Sequence, residues 1–96
     1  MNRRPSFRFR LYVAGDAPNS NRAAANLKAL CSRLVPGRCD IEVVDVFREP
    51  KRALADRVFM TPTLIKLGPG PARRIVGTLS DSRALMNALG LDGAAA

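Results

Sequence analysis

Hydrophobic and polar residues change period several times along the chain, and each change marks an element. Phe7, Phe9, Leu11 and Val13 alternate with Arg8, Arg10 and Tyr12, which is the period of a strand. Residues 14–20, Ala-Gly-Asp-Ala-Pro-Asn-Ser, read as a loop ending in Asn19 or Ser20 as a helix N-cap. Ala23, Leu27, Leu30, Cys31 and Leu34 then fall at helical spacing, with Arg22, Asn26 and Arg33 off that stripe. Pro36-Gly37 stops the helix. Residues 39–47 are rich in branched side chains and predict a second strand. Strand, helix and strand at this length predict a parallel unit with a right-handed crossover.

The second half carries shorter signals. Residues 49–58 predict a short helix with Pro50 in its first turn. Residues 63–67 form a third strand and 72–77 a fourth, antiparallel to it across the Gly68-Pro69-Gly70-Pro71 turn. Ser80 is the expected cap of a last helix, with Asp81 in its first turn and Leu85, Met86 and Leu89 on its apolar face. The order β-α-β-α-β-β-α is that of a minimal thioredoxin-like α/β domain with a four-stranded mixed sheet. In such folds a proline entering the third strand takes the cis form, so the Thr61-Pro62 bond is expected to be cis. The domain is expected to span residues 7–90, flanked by a flexible basic arm over 1–6 and a flexible tail over 91–96.

Composition narrows the function. Ninety-six residues with 47% hydrophobic content suit one globular domain. The apolar runs are far shorter than the roughly 18 residues of a membrane span, and no secretory signal is visible. A cytoplasmic location is the expectation. The net charge is +8, from 16 basic and 8 acidic residues, which predicts attraction to acidic surfaces. Nucleic-acid binding rests on that charge alone, and four Phe, one Tyr and no Trp offer few stacking platforms.

Candidate chemistry is sparse. The loop at 15–20 holds no thiol where a thioredoxin-like oxidoreductase carries its nucleophile at a helix N-terminus. Ser20 has no neighbouring histidine or lysine to activate it and reads better as a cap. Cys31 and Cys39 fit neither a C-x-x-C pair nor a zinc knuckle. They read as two isolated thiols, Cys31 as a small buried hydrophobe. The chain has no histidine, and no metal or other cofactor is expected. Asp40, Glu42 and Asp45 read as solvated or paired with arginine rather than as catalytic carboxylates. Arg73 and Arg74 should point to opposite faces of the fourth strand. A redox or glutathione-dependent enzyme remains the alternative to a binding module.

Several segments together resemble the KaiB family of circadian clock proteins. They are Leu11-Tyr12-Val13-Ala14-Gly15, Pro18-Asn19-Ser20 with Arg22, Val44-Asp45-Val46, Thr61-Pro62-Thr63-Leu64, and 71–77 with Leu79-Ser80-Asp81. The resemblance covers about residues 8–89 and implies a non-enzymatic adaptor that binds a KaiC-like ATPase and autokinase and modulates its phosphorylation cycle. Other clock proteins or a histidine kinase are the further partners it implies, along with homo-oligomers. It also implies fold switching, between the thioredoxin-like form and a resting form of order β-α-β-β-α-α-β. On this resemblance the partner-binding residues are Asn19, Ser20, Arg22, Arg73 and Arg74, and the switch residues are Thr61, Pro62, Pro69 and Pro71. The chain departs from the family in reading Pro69-Gly70-Pro71 for a triple proline, in its poor strand formers at 90–94, and in lacking an acidic tail.

Overall fold

The computed structural model describes residues 7–90, without the side chains of Ala88 and Leu89. Its elements are β1 (Phe7–Val13), α1 (Pro18–Leu34), β2 (Cys39–Asp45), α2 (Pro50–Ala55), β3 (Thr63–Gly68), β4 (Arg73–Val76) and α3 (Ser82–Leu89). The sheet order is β2-β1-β3-β4. β1 runs parallel to β2 and antiparallel to β3, and β3 pairs antiparallel with β4. This is the thioredoxin-like order, with residues 73–76 in a strand rather than in the helix that the resting form would place there. The expected arm, the tail and the terminal strand of the resting form lie outside the described residues.

The alternation in β1 sorts the two cores. Phe7, Phe9, Leu11 and Val13 pack with Ala23, Leu27 and Leu30 of α1 and with Leu79 and Leu85 around α3. Tyr12 faces the other way, into a smaller core with Val44, Ala53, Val58 and Ile65 beneath α2. β1 and β3 are central strands, so Leu64 and Ile65 are buried on opposite faces of the sheet. β2 and β4 are edges, and they are more exposed than the central strands.

Three local expectations change. α1 begins at Pro18 rather than after Ser20, and Ala17 precedes it with no side-chain cap. Pro18 suits that first position, because its missing N–H would have no intrahelical partner there. Asp81, not Ser80, caps α3: its Oδ1 accepts from the Arg83 and Ala84 N–H groups at 3.1 and 3.2 Å. Ser80 Oγ instead meets Thr78 Oγ1 at 2.8 Å. The cysteines are not isolated thiols. Cys31 is buried as expected, but it is bonded to Cys39, with the two Cα atoms 6.2 Å apart. The reversal at Pro36-Gly37, where Gly37 has φ +72°, returns the chain so that β2 starts beside the last turns of α1.

Candidate partner-binding surface

β1 and β2 both end at one edge of the domain, where β3 begins, and the intervening loops converge there. Ser20 Oγ accepts the Ala14 N–H at 3.0 Å, which ties the first turn of α1 to the end of β1. Asp45 Oδ1 accepts from the Gly15 N–H at 3.2 Å and the Phe47 N–H at 2.9 Å, joining the β1–α1 loop to the β2–α2 corner. The Phe47 ring lies over Gly15, whose φ is +52°; a Cβ there would sit 3.6 Å from Phe47 Cδ2. Thr61-Pro62 is cis, and the Pro62 carbonyl accepts the Gly77 N–H at 2.9 Å.

On this fixed frame stand large apolar side chains. Phe59 is 81% exposed and Phe47 is 74% exposed, with Met60 and Leu54 also mostly in solvent. The exposed cations Arg22, Arg48, Lys51 and Arg57 lie on the same elements and their flanking turns.

The back of α2 is held by charge. Arg10 Nε and Nη1 bond Glu42 at 2.9 Å and Asp56 at 3.0 Å. Arg52 reaches Glu42 at 2.9 Å and Glu49 at 3.5 Å. The buried Tyr12 hydroxyl donates to Asp56 Oδ2. Burial, then the hydrogen bond to Asp56, push the Tyr12 phenol up to about 12. The Tyr12 hydrogen bond, then the Arg10 guanidinium, hold the Asp56 carboxyl below its usual range. Arg10 and Arg52 do the same for Glu42.

The residues singled out from the sequence do not form one cluster. Asn19 and Arg22 are exposed on the first turns of α1, at the end that carries Pro62. Ser20 is 1% exposed and its hydroxyl is used internally, so it positions the loop rather than touching a partner. Arg73 lies opposite Lys66, farther along β4, and Val76 lies opposite Thr63 at the Pro62 end. Arg74 points to the α2 face, as alternation predicts, and donates to the Asp56 and Arg57 carbonyl oxygens that end α2. Pro69 and Pro71 sit in the β3–β4 turn at the opposite end of the sheet, and the Gly68-Pro69 bond is also cis. Phe47, Leu54, Phe59 and Met60 were not singled out as partner-binding residues in the sequence. Phe47 fell at the end of the predicted second strand, and Phe59-Met60 lay between predicted elements, an apolar pair outside every periodic stripe.

The KaiB domain family model matches residues 10–91. The chain belongs to the KaiB family. It is 41% identical over 92 residues to the circadian clock oscillator protein KaiB of Prochlorococcus marinus strain NATL2A, covering 96% of this chain and 84% of that protein. The KaiB of Synechococcus sp. strain RCC307 is 40% identical over 92 residues, covering 96% and 82% of the two chains. These relatives are named as clock oscillator proteins rather than enzymes, and the non-enzymatic reading of this KaiB-family chain stands with them. Among solved structures, the N-terminal domain of Synechococcus elongatus SasA superposes with a TM-score of 0.77 at 22% identity, over 96% of this chain and 90% of that one. Chloroplastic thioredoxin z gives 0.75 at 18% identity, over 94% and 81%. Both share the thioredoxin-like fold. No helix among the described residues is long and apolar enough to cross a membrane.

Proposed function

We propose that this KaiB-family domain is an adaptor that docks on a KaiC-like ATPase through the Pro62 end of the sheet and α2, and so modulates the ATPase's phosphorylation cycle. The observation that carries the reading is the placement of exposed Phe47 and Phe59 on a hydrogen-bonded frame, with exposed Arg22 in the first turns of α1 and Arg48 in the turn before α2. Exposed aromatics held on rigid backbone are the usual anchors of an interface, since little freedom is lost when they are covered. The cations would supply steering toward an acidic rim. Other clock proteins or a histidine kinase fit the same surface chemistry as further partners.

Fold switching is part of the proposal. It is supported by the light construction of the second half, where β4 has four residues, three of them exposed, and α3 has eight. Thr61, Pro62, Pro69 and Pro71 flank the segments that would rearrange. Two packings within a few kcal/mol suffice for such a switch.

The test is binding of purified variants to the KaiC-like ATPase of the same organism, with ATP or ADP present. Phe59→Ser and Arg22→Glu are expected to weaken binding at least tenfold with unchanged circular dichroism. Arg73→Glu, on the part of β4 away from Pro62, is expected to lose less. Equal losses at Arg22, Arg73 and Arg83, with none at Phe59, would mean diffuse electrostatic attraction and would overturn the specific surface.

A further inference from the structure

The one disulfide among the described residues closes the corner between α1 and β2, at the end of the sheet away from the partner-binding surface. Its two sulfurs are not equivalent. Cys31 is 5% exposed and belongs to the main core, whereas Cys39 is half-buried at the start of an edge strand. A groove of about 360 Å³ opens onto both, lined also by Lys28, Ser32, Val35 and Ile41. Lys28 is the charged side chain of that lining, and it favours an approaching thiolate.

We propose that Cys31–Cys39 is a reversible thiol–disulfide site, opened by a dithiol donor that enters this groove and reacts at Cys39. The donor thiolate attacks the Cys39 sulfur, a donor–Cys39 bond forms, and the Cys31–Cys39 bond breaks. The released electron pair resides on the Cys31 sulfur, which takes a proton from water. The donor's second thiolate then attacks the donor sulfur of the mixed disulfide. Cys39 leaves as a thiolate and is protonated, and the donor departs as its own internal disulfide. Two electrons and two protons have moved from donor to protein.

The preference for a dithiol follows from where Cys31 sits. The Cys31 sulfur released by the first attack stays in the core beside Cys39, so it is positioned to attack back and re-form the bond. A mixed disulfide with a monothiol therefore reverts. A tethered second thiol resolves it at high effective concentration. The structural change on opening falls at the α1–β2 corner. With a sequence separation of 8, loss of the crosslink should lower the folding equilibrium constant by roughly 50- to 100-fold in the chain-entropy account.

The experiment uses the full chain purified without reductant. It is treated with dithiothreitol or 2-mercaptoethanol, quenched, labelled with a polyethylene-glycol maleimide and read on a non-reducing gel. No label is expected before reduction. Two labels are expected after dithiothreitol under native conditions, at a concentration where 2-mercaptoethanol gives none, and diamide should restore the unlabelled form. In single variants, Cys39 in Cys31→Ser should react with oxidised glutathione much faster than Cys31 in Cys39→Ser. Hydrogen exchange should rise at residues 31–41 on reduction and stay unchanged at 58–63. Labelling of both thiols before any reductant would overturn the proposal. So would a bond that yields only in denaturant, or equal reactivity of the two single variants.

Discussion

Tyr12→Phe tests the contact between the sheet and the end of α2 by removing one oxygen. The ring is fully buried; its hydroxyl donates to Asp56 Oδ2 and lies 3.1 Å from the Arg52 carbonyl oxygen. The substitution keeps the ring and leaves a carboxylate short of one donor. A hydrogen bond to a charged group contributes about 1.5–3 kcal/mol. The lower end applies, because Asp56 keeps Arg10 Nη1 at 3.0 Å and is partly open to water. A loss of about 1.5 kcal/mol should lower Tm by roughly 6–12 °C in a domain of this size. The parent protein offers an independent reading, since it has one tyrosine and no tryptophan. Tyrosinate absorbance therefore follows this hydroxyl alone. It should titrate with a native midpoint of about 12, against about 10 in denaturant. A folded pKa raised above the unfolded one gives stability that is complete below about pH 10 and is lost as pH rises toward 12. The assay is an alkaline absorbance titration with and without denaturant, paired with thermal melts of parent and variant. A native midpoint near 10, or a variant that melts with its parent, would refute the buried Tyr12–Asp56 bond.

Two further outcomes test the same framework. Asp81→Ala should cost about 1 kcal/mol in urea unfolding through loss of the α3 cap, whereas Ser80→Ala should cost distinctly less; equal losses would contradict the assigned cap. Asp56 and Glu42 have folded pKa values below their unfolded ones, so their contribution is present above about pH 4 and lost as pH falls through the folded values. Thermal melts from neutral to acid pH should show that decline, and Asp56→Asn with Glu42→Gln should flatten it; an unchanged acid limb in the double variant would count against the network.

The candidate surface was only partly legible in the sequence. Arg22 and Asn19 were marked by the segment they share with the family, and both emerge exposed at the Pro62 end. Ser20 carried the same mark, yet its hydroxyl serves the β1–α1 loop, because the first turn of α1 packs against the end of β1. Phe47 and Phe59 are large apolar residues, a type that composition alone would place in a core. Hydrophobicity states a preference for burial, not whether the fold has a place for the side chain.

Alternating Phe7, Phe9, Leu11 and Val13 determined β1 and its buried face, and the stripe from Ala23 to Cys31 determined α1, because both depend on periods that are local to the backbone. The Pro36-Gly37 stop was likewise readable from residue type, and the cis bond at Pro62 from where a proline falls in a thioredoxin-like order, whereas the cis bond at Gly68-Pro69 was not expected. Pairings between distant positions were not. That Arg10 meets Glu42 and Asp56, that Tyr12 reaches Asp56, and that Arg74 caps the end of α2 all depend on how α2 settles on the sheet. The disulfide belongs with them although its cysteines are near in sequence. Only the angle at which β2 leaves α1 brings their Cα atoms to 6.2 Å, and that angle is set by the register of β2 against β1.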